Sequence, residues 1–293
     1  METQTPPRIA STPLRIAVVG HVEFVTLGRV EATPRAGEIA HLQDPRDFPG
    51  GGGGIAFYQM VRGPTEVHLF TAFGGDEAGA WVAAEVARTG ASVHAARRAG
   101  PHTRDVVMVT PEGERTIVVV GEPLQPRGDD ALPWGLLASC DAAYFTAQDP
   151  GALRAARAAR VLVVSARRRE ALVRSGVRAD VVVGSAFDPR EASALEDYPV
   201  PPGALVLTEG AAGGRVLTAD GATRFEAPPA PGRGGGSYGA GDSFAAALTY
   251  YLAAGLGVLD ACARAGPHGA AVLRGVVPLE HQRALDPVAS PRG

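Results

Sequence analysis

Lysine and asparagine are both absent from this 293-residue chain, so all 28 of its basic residues are arginine. The lack of lysine excludes a Walker-A phosphate loop, a Schiff-base enzyme and a pyridoxal enzyme, because each depends on a lysine amine. The lack of asparagine means that a site needing a side-chain amide must be built from other groups. Codon bias toward Arg, Ala, Gly and Pro accounts for both absences, and the chemical exclusions hold whatever the origin.

Other scarcities narrow the class of protein. The two cysteines, Cys140 and Cys262, lack metal or redox spacing, which favours a reduced, cytoplasmic setting. No apolar run is long enough for a membrane span, and residues 1–13 lack the pattern of a signal peptide. A net charge of −3 gives no support for nucleic-acid binding. We therefore expect a cytoplasmic protein without membrane or nucleic-acid partners.

Short apolar runs alternate with helical patterns along most of the chain. The predicted strands are 14–20, 67–72, 142–146, 161–165, 181–183 and 204–208. This alternation is typical of an α/β protein with a doubly wound, mostly parallel sheet flanked by helices. We predict one domain over 14–276, with loose termini at 1–13 and 286–293.

Two regions, 28–49 and 104–120, break the alternation with hairpin signals such as Pro111-Glu112-Gly113. We interpret them as one small β appendage, or lid. A small sheet on its own leaves an apolar face and open edges, so a homodimer through this lid is expected.

The most informative segment is Gly239-Ala240-Gly241-Asp242, which leads into an apolar helix. Small residues let a polyanion approach the backbone, and the free N–H groups of a helix start favour negative charge. A carboxylate at that place fits a general base beside a transferring phosphate. The alternative is an aspartate that only complements the helix dipole.

Several weaker motifs occur in a fixed order around that segment. A strand ends at Gly20, followed by the glycine run 50–54, then Gly74-Gly75-Asp76, Gly113-Glu114-Arg115, Thr208-Glu209-Gly210 and finally 239–242. This order resembles the ribokinase-like, or PfkB, carbohydrate kinases over residues 14–276. The resemblance implies a kinase that uses ATP with Mg²⁺, a glycine run that contacts the sugar, and a β lid over it.

The resemblance also implies roles for individual residues. Asp242 would take the proton from the substrate hydroxyl, and the amides of Gly239, Ala240 and Gly241 would bind the γ-phosphoryl group. The substrate would lie against Glu23, Gly50, Gly51, Gly52 and Gly53. ATP would lie near Thr208, Gly210, Ser185 and Asp188, with Asp188 near the magnesium ion but not assigned as its ligand.

The chain departs from the family pattern at four places. The glycine run lacks the lysine and asparagine that often occur in it, and Gly236 and Ser237 replace Asp-Thr before the signature. The Asn-x-x-Glu motif has its best counterpart in 185–188. The aspartate usually found after the first strand corresponds to Val25, and Glu23 lies two residues earlier on the same strand face.

Several of these residues also have plainer interpretations. Glu23 could make only a local polar contact, and the glycine run could be a flexible linker. Arg104, Arg115 and the cluster 167–169 are expected to be solvated charges. His21 is expected to be a packed or capping histidine.

We therefore predict an ATP-dependent kinase acting on a hydroxyl of a small sugar or nucleoside. One alternative is a sugar-phosphate kinase in which Arg104 or Arg115 holds the existing phosphate. Another is a degenerate member that binds a ligand without phosphorylating it.

Overall fold

The computed structural model describes residues 13–229 and 236–288. Within these ranges the strands are β1 (Leu14–Val19), β2 (Glu23–Arg29), β3 (Gln43–Gly50), β4 (Thr65–Phe73), β5 (Ser92–Arg97), β6 (Arg104–Val109), β7 (Arg115–Val120), β8 (Ala142–Phe145), β9 (Val161–Ser165), β10 (Val181–Ser185), β11 (Ala204–Thr208), β12 (Gly214–Thr218) and β13 (Gly221–Phe225). The α-helices are α1 (Gly51–Met60), α2 (Glu77–Ala87), α3 (Pro150–Ala156), α4 (Arg169–Ser175), α5 (Ala240–Ala253), α6 (Val258–Val272) and α7 (Pro278–His281).

The large sheet has nine strands in the order β13-β12-β11-β10-β9-β8-β1-β4-β5. Seven of them, from β11 to β5, are parallel, and β12 and β13 join as an antiparallel edge. Apolar clusters cover both faces of this sheet, as the continuous apolar strands predict. The doubly wound α/β prediction is confirmed.

The chain order reverses between β1 and β8, which are neighbours in the sheet. Open α/β sheets bind ligands outside the carboxyl ends of the strands at such a switch point. The residues that follow β1 and β8, from His21 and from Thr146 onward, therefore lie where a ligand site is expected.

A second sheet has four strands in the order β3-β2-β6-β7. It is the small β lid predicted from 28–49 and 104–120, but its first strand begins at Glu23, and so Glu23 is itself a lid residue. One face of the lid packs on α1 and on Tyr238 through an apolar cluster that includes Val25, Phe48 and Ile55.

The carboxyl-terminal part differs from the predicted boundaries. The chain after residue 276 packs on the body: α7 follows, Leu285 is buried, and the Tyr250 hydroxyl donates a hydrogen bond to the Asp286 carbonyl. Helix α6 continues through Pro267, although a proline in a helix interior removes a backbone hydrogen bond. Of the predicted loose segments 1–13 and 286–293, residues 1–12 and 289–293 lie outside the described residues. None of the described helices has the length and apolar character needed to cross a membrane.

Candidate active site

The signature segment forms a sharp turn into α5. Gly239 adopts the left-handed conformation, with φ of 80°, which a residue with a side chain rarely adopts. The helix starts at Ala240, so Asp242 lies in its first turn, where backbone N–H groups lack partners inside the helix. Helix α5 packs against β1, β8, β9 and β10, which places this turn at the carboxyl edge of the large sheet.

Asp242 is held in an environment that favours its neutral form. Burial and the nearby charge of Glu191 raise the pKa of Asp242 to about 6, against the opposing charges of Arg115, Arg167 and Arg168. No group in the described part of the chain donates a hydrogen bond to its carboxylate, and the residue keeps some solvent exposure. A carboxylate with these properties can accept a proton from a ligand near neutral pH.

The glycine run is not a flexible linker, which was one interpretation of the sequence. Gly50 ends β3, and 51–54 form the first turn of α1. Glycine is required here by close packing: a Cβ on Gly53 would lie 2.5 Å from the His21 carbonyl oxygen, and one on Gly51, where φ is 74°, 2.8 Å from Glu23 Oε2. Tertiary packing thus outweighs the low helix propensity of glycine.

The first N–H groups of α1 are bonded within the protein. Gly51 N–H donates to the Tyr238 hydroxyl (3.1 Å) and Gly52 N–H donates to His21 Nε2 (3.1 Å). The glycine run therefore offers its Cα surface, more than its amides, to the space beside Asp242.

His21 acts as a capping residue, as one interpretation of the sequence expected. Because Nε2 accepts the Gly52 hydrogen bond, the ring proton is assigned to Nδ1. Burial and the charge of Arg168 lower the pKa of His21 to about 3, so the imidazole is neutral at physiological pH. A neutral ring can hold the glycine helix but cannot supply positive charge.

Glu23 lies on the inner face of the lid, next to Asp105 of β6. Burial, followed by a hydrogen bond with Asp105, raises the pKa of Glu23 well above its usual range. Burial also raises the pKa of Asp105. Burial, followed by the charges of Glu23, Asp105 and Asp242, raises the pKa of the Tyr238 hydroxyl well above its usual range.

Two residues of the arginine cluster 167–169, Arg167 and Arg168, are not solvated charges, whereas Arg169 is partly exposed and pairs with Asp197 (3.4 Å). Arg168 Nε donates to the Thr146 carbonyl oxygen (2.7 Å), and its Nη2 lies 3.5 Å from His21 Nδ1. Its charge acts on Glu23 and Asp242. The expectation was wrong because the cluster directly follows β9, whose carboxyl end faces the site. The position of the cluster after a central strand was the sequence signal that could have placed these arginines at the site.

The residues predicted for ATP also meet at the carboxyl edge of the sheet. Ser185 and Thr208 are paired residues at the ends of β10 and β11, and Gly210 follows with a φ of 58°. Asp188 is linked to the rest of the site through Arg167, which contacts it closely.

The sequence interpretation missed Glu191, which stands three residues after Asp188 and has the spacing of the Asn-x-x-Glu motif. Its carboxylate accepts hydrogen bonds from Arg167 Nε (2.9 Å) and Ser185 N (2.8 Å), and its charge raises the pKa of Asp242. The motif counterpart is therefore 188–191, where 185–188 was expected. The spacing alone could have found it.

Two lid arginines have different surroundings. Arg104 forms an ion pair with Asp76 (3.3 Å), which caps α2 by accepting from Gly79 N–H. Arg115 Nη1 donates to the Ser237 hydroxyl (2.6 Å), two residues before Gly239. The lid thus contacts the signature turn directly, and Arg115 brings positive charge near Asp242.

No protein-family model matches the chain, and no curated protein matches its sequence significantly. Solved structures do resemble it. Ribokinase from Thermotoga maritima shares 16% identity at a TM-score of 0.74, covering 92% of this chain and 96% of its own. A Burkholderia thailandensis nucleoside kinase in complex with inosine shares 14% at 0.73, covering 92% and 93%.

A third similar structure contains bound ligands. Arabidopsis thaliana ribokinase complexed with ribose and ATP shares 14% identity at a TM-score of 0.69, covering 93% of this chain and 96% of that one. These identities are too low to transfer a substrate, but the architecture agrees over nearly the whole length of each chain. The chain therefore has the ribokinase-like fold that its motif order predicts.

Proposed function

We propose that the protein is an ATP-dependent kinase that transfers the γ-phosphoryl group to a hydroxyl of a small sugar or nucleoside. The observation that carries this proposal is Asp242: a carboxylate with no hydrogen-bond donor among the described residues, with a pKa raised to about 6, in the first turn of a helix that starts at the sheet's carboxyl edge. The structural relatives that bind ribose, ATP and inosine support the same class of reaction.

In the proposed reaction, Asp242 takes the proton from the acceptor hydroxyl. The hydroxyl oxygen forms a bond to the γ-phosphorus, and the bond from that phosphorus to the β,γ-bridging oxygen breaks, which releases ADP. The amides of Gly239, Ala240 and Gly241 would stabilise charge on the transferring group from the start of α5. Arg115 and Arg168 would place positive charge beside the transferring group, as a lysine does in other phosphotransferases.

We further propose that the site takes its nucleotide phosphates together with magnesium. Mg²⁺ in phosphotransferases is bound by one or two carboxylates together with phosphate oxygens and water. The described residues contain no group of three or more His, Cys, Asp or Glu able to hold a metal, so a dedicated protein cage is not present in them. Asp188 and Glu191 would hold the magnesium ion of MgATP. The ion would neutralise phosphate charge. Thr208, Gly210 and Ser185 would contact the nucleotide.

The alternatives receive less support. A sugar-phosphate kinase needs a second arginine to hold the existing phosphate, but Arg104 pairs with Asp76, and Arg115 lies at the signature turn, where its charge serves the transferring phosphoryl group. A degenerate binding protein has no need to keep a largely desolvated carboxylate such as Asp242 without a hydrogen-bond donor among the described residues, because doing so destabilises the fold.

The proposal is tested by incubating the protein with MgATP and a panel of free pentoses, hexoses and nucleosides together with their monophosphates. Product is detected by mass, which separates true transfer from ATP hydrolysis. We expect phosphorylation of at least one unphosphorylated acceptor. Transfer only to sugar phosphates would support the first alternative, and binding without transfer would support the second.

A further inference from the structure

Val25 occupies the position where the family pattern places an aspartate, and it lies in the apolar cluster under the lid with none of its surface exposed. It cannot bind a substrate hydroxyl. In the parallel pairing of β2 with β6, the residue opposite Val25 is Asp105. The chain therefore has a carboxyl group on β6, directly beside the position on β2 where the family pattern places one.

Asp105 is buried in a way that a purely structural residue rarely is. Only 4% of its surface is exposed, and its Oδ1 has no hydrogen-bond partner within the described residues. An unpaired buried carboxylate oxygen is destabilising, so its presence points to a donor that arrives with a ligand.

Glu23 lies diagonally opposite Asp105 on the same face of the lid, since Val25 pairs with Asp105 and Glu23 is two residues earlier. The two carboxyl groups lie close enough for each to shift the pKa of the other. Two carboxyl groups in contact hold one proton between them and carry one negative charge. The Arg168 guanidinium acts on Glu23 and offsets this charge. Such a pair is suited to hydroxyl donors on an uncharged part of a ligand.

We propose that Asp105 is a substrate-recognition residue that replaces the carboxylate missing at Val25, and that Asp105 and Glu23 together bind neighbouring hydroxyl groups on an uncharged end of the acceptor. This inference rests on the proposed kinase function and narrows its substrate. The pair repels a phosphate or carboxylate placed at the same end.

The test compares Asp105→Asn with the wild type, using the acceptor found in the panel assay, with D-ribose and inosine as first probes. We expect the KM for the acceptor to rise about 10- to 100-fold, the loss of one charged hydrogen bond, with the KM for ATP within about twofold. The melting temperature of the unliganded variant should equal or exceed that of the wild type, because an uncompensated buried charge is removed. Acceptor alone should stabilise the variant less.

Asp47→Asn is the matched control. Asp47 accepts a hydrogen bond from Thr26 on the exposed part of the same small sheet (2.7 Å), so its loss should change neither the acceptor KM nor the ligand-induced shift. An unchanged acceptor KM in Asp105→Asn overturns the inference, while a wild type that phosphorylates no acceptor overturns the kinase proposal itself.

A second variant decides the case in which Asp105→Asn both raises the KM and lowers the melting temperature. Val25→Asp combined with Asp105→Val moves the carboxylate to the paired strand and keeps the number of acidic groups. Recovery of the acceptor KM to within about threefold of the wild type supports recognition by a carboxylate at this level of the lid. No recovery overturns it.

Discussion

The carboxylate of Asp242 lies directly against the backbone of Gly52. A Cβ at position 52 would come within 3.1 Å of Asp242 Oδ1 and within 3.1 Å of Thr146 Oγ1. The glycine run and the signature helix, almost 190 residues apart in the chain, thus form the two walls of one narrow site. Two helix starts, those of α1 and α5, meet there.

This contact predicts the effect of Gly52→Ala. Alanine suits a helix better than glycine by up to about 1 kcal/mol, so the variant should remain folded with an unchanged or raised melting temperature. Its methyl group should displace the Asp242 carboxylate and lower kcat by about 10- to 100-fold. Steady-state kinetics and a thermal melt on the same preparation measure both effects.

Gly54→Ala is the matched control, in the same turn of α1. A Cβ there would meet Val22 Cγ1 at 3.2 Å, and no polar atom of the site lies among its nearest contacts. It should keep kcat within about threefold of the wild type. Equal losses in the two variants would mean that helix packing in general, and not the Asp242 contact, limits activity.

The raised pKa of Asp242 predicts the pH dependence of activity. The base must be ionised to accept a proton, so kcat/KM should rise with pH and level off above its pKa of about 6. A rate profile from pH 4.5 to 8.5 in buffers of constant ionic strength measures it. A profile that is flat through this range would assign proton removal to another group.

The raised pKa of Asp242 also predicts how stability depends on pH. Activity should rise with pH, whereas the stability that this group contributes should fall. Folded Asp242 binds its proton more tightly than the unfolded residue, whose pKa is 3.8. Stability from this group is therefore present below pH 3.8 and is lost as pH rises through about 6. Asp242→Asn should be more stable than the wild type at pH 7, by about 3 kcal/mol, and equally stable near pH 4. Urea unfolding at both pH values tests this.

The outer edge of the lid predicts self-association. Strand β7 pairs only with β6 in the described sheet, and Ile117, Val118, Val119 and Val120 are each 40–50% exposed. An open apolar edge of this kind is usually covered. We expect a homodimer through β7, which Val119→Glu should convert to a monomer in analytical ultracentrifugation. Ile39→Glu, at the exposed β2–β3 connection, should leave the dimer intact; a monomeric wild type would contradict the prediction.

The sequence predicted the parallel sheet, the lid and the signature turn, because each depends on local patterns: apolar runs, turn residues and a glycine-rich helix start. It did not predict the roles of Asp105, Arg168 and Glu191. Asp105 reaches the site through the register of two lid strands, and an isolated aspartate has no local pattern that separates a buried charge from a solvated one. Arg168 and Glu191 did carry sequence signals that the interpretation overlooked, namely the end of a central strand and the spacing of the Asn-x-x-Glu motif.

The central claim is that Asp242 is the base of a phosphoryl transfer. Its most direct test is the turnover of Asp242→Asn with the acceptor found for the wild type, measured together with the affinity for an ATP analogue. The amide keeps the shape of the side chain and loses the base, so turnover should fall by about 10² to 10⁴ while nucleotide affinity stays within a few-fold. A variant that turns over at close to the wild-type rate would contradict the assignment.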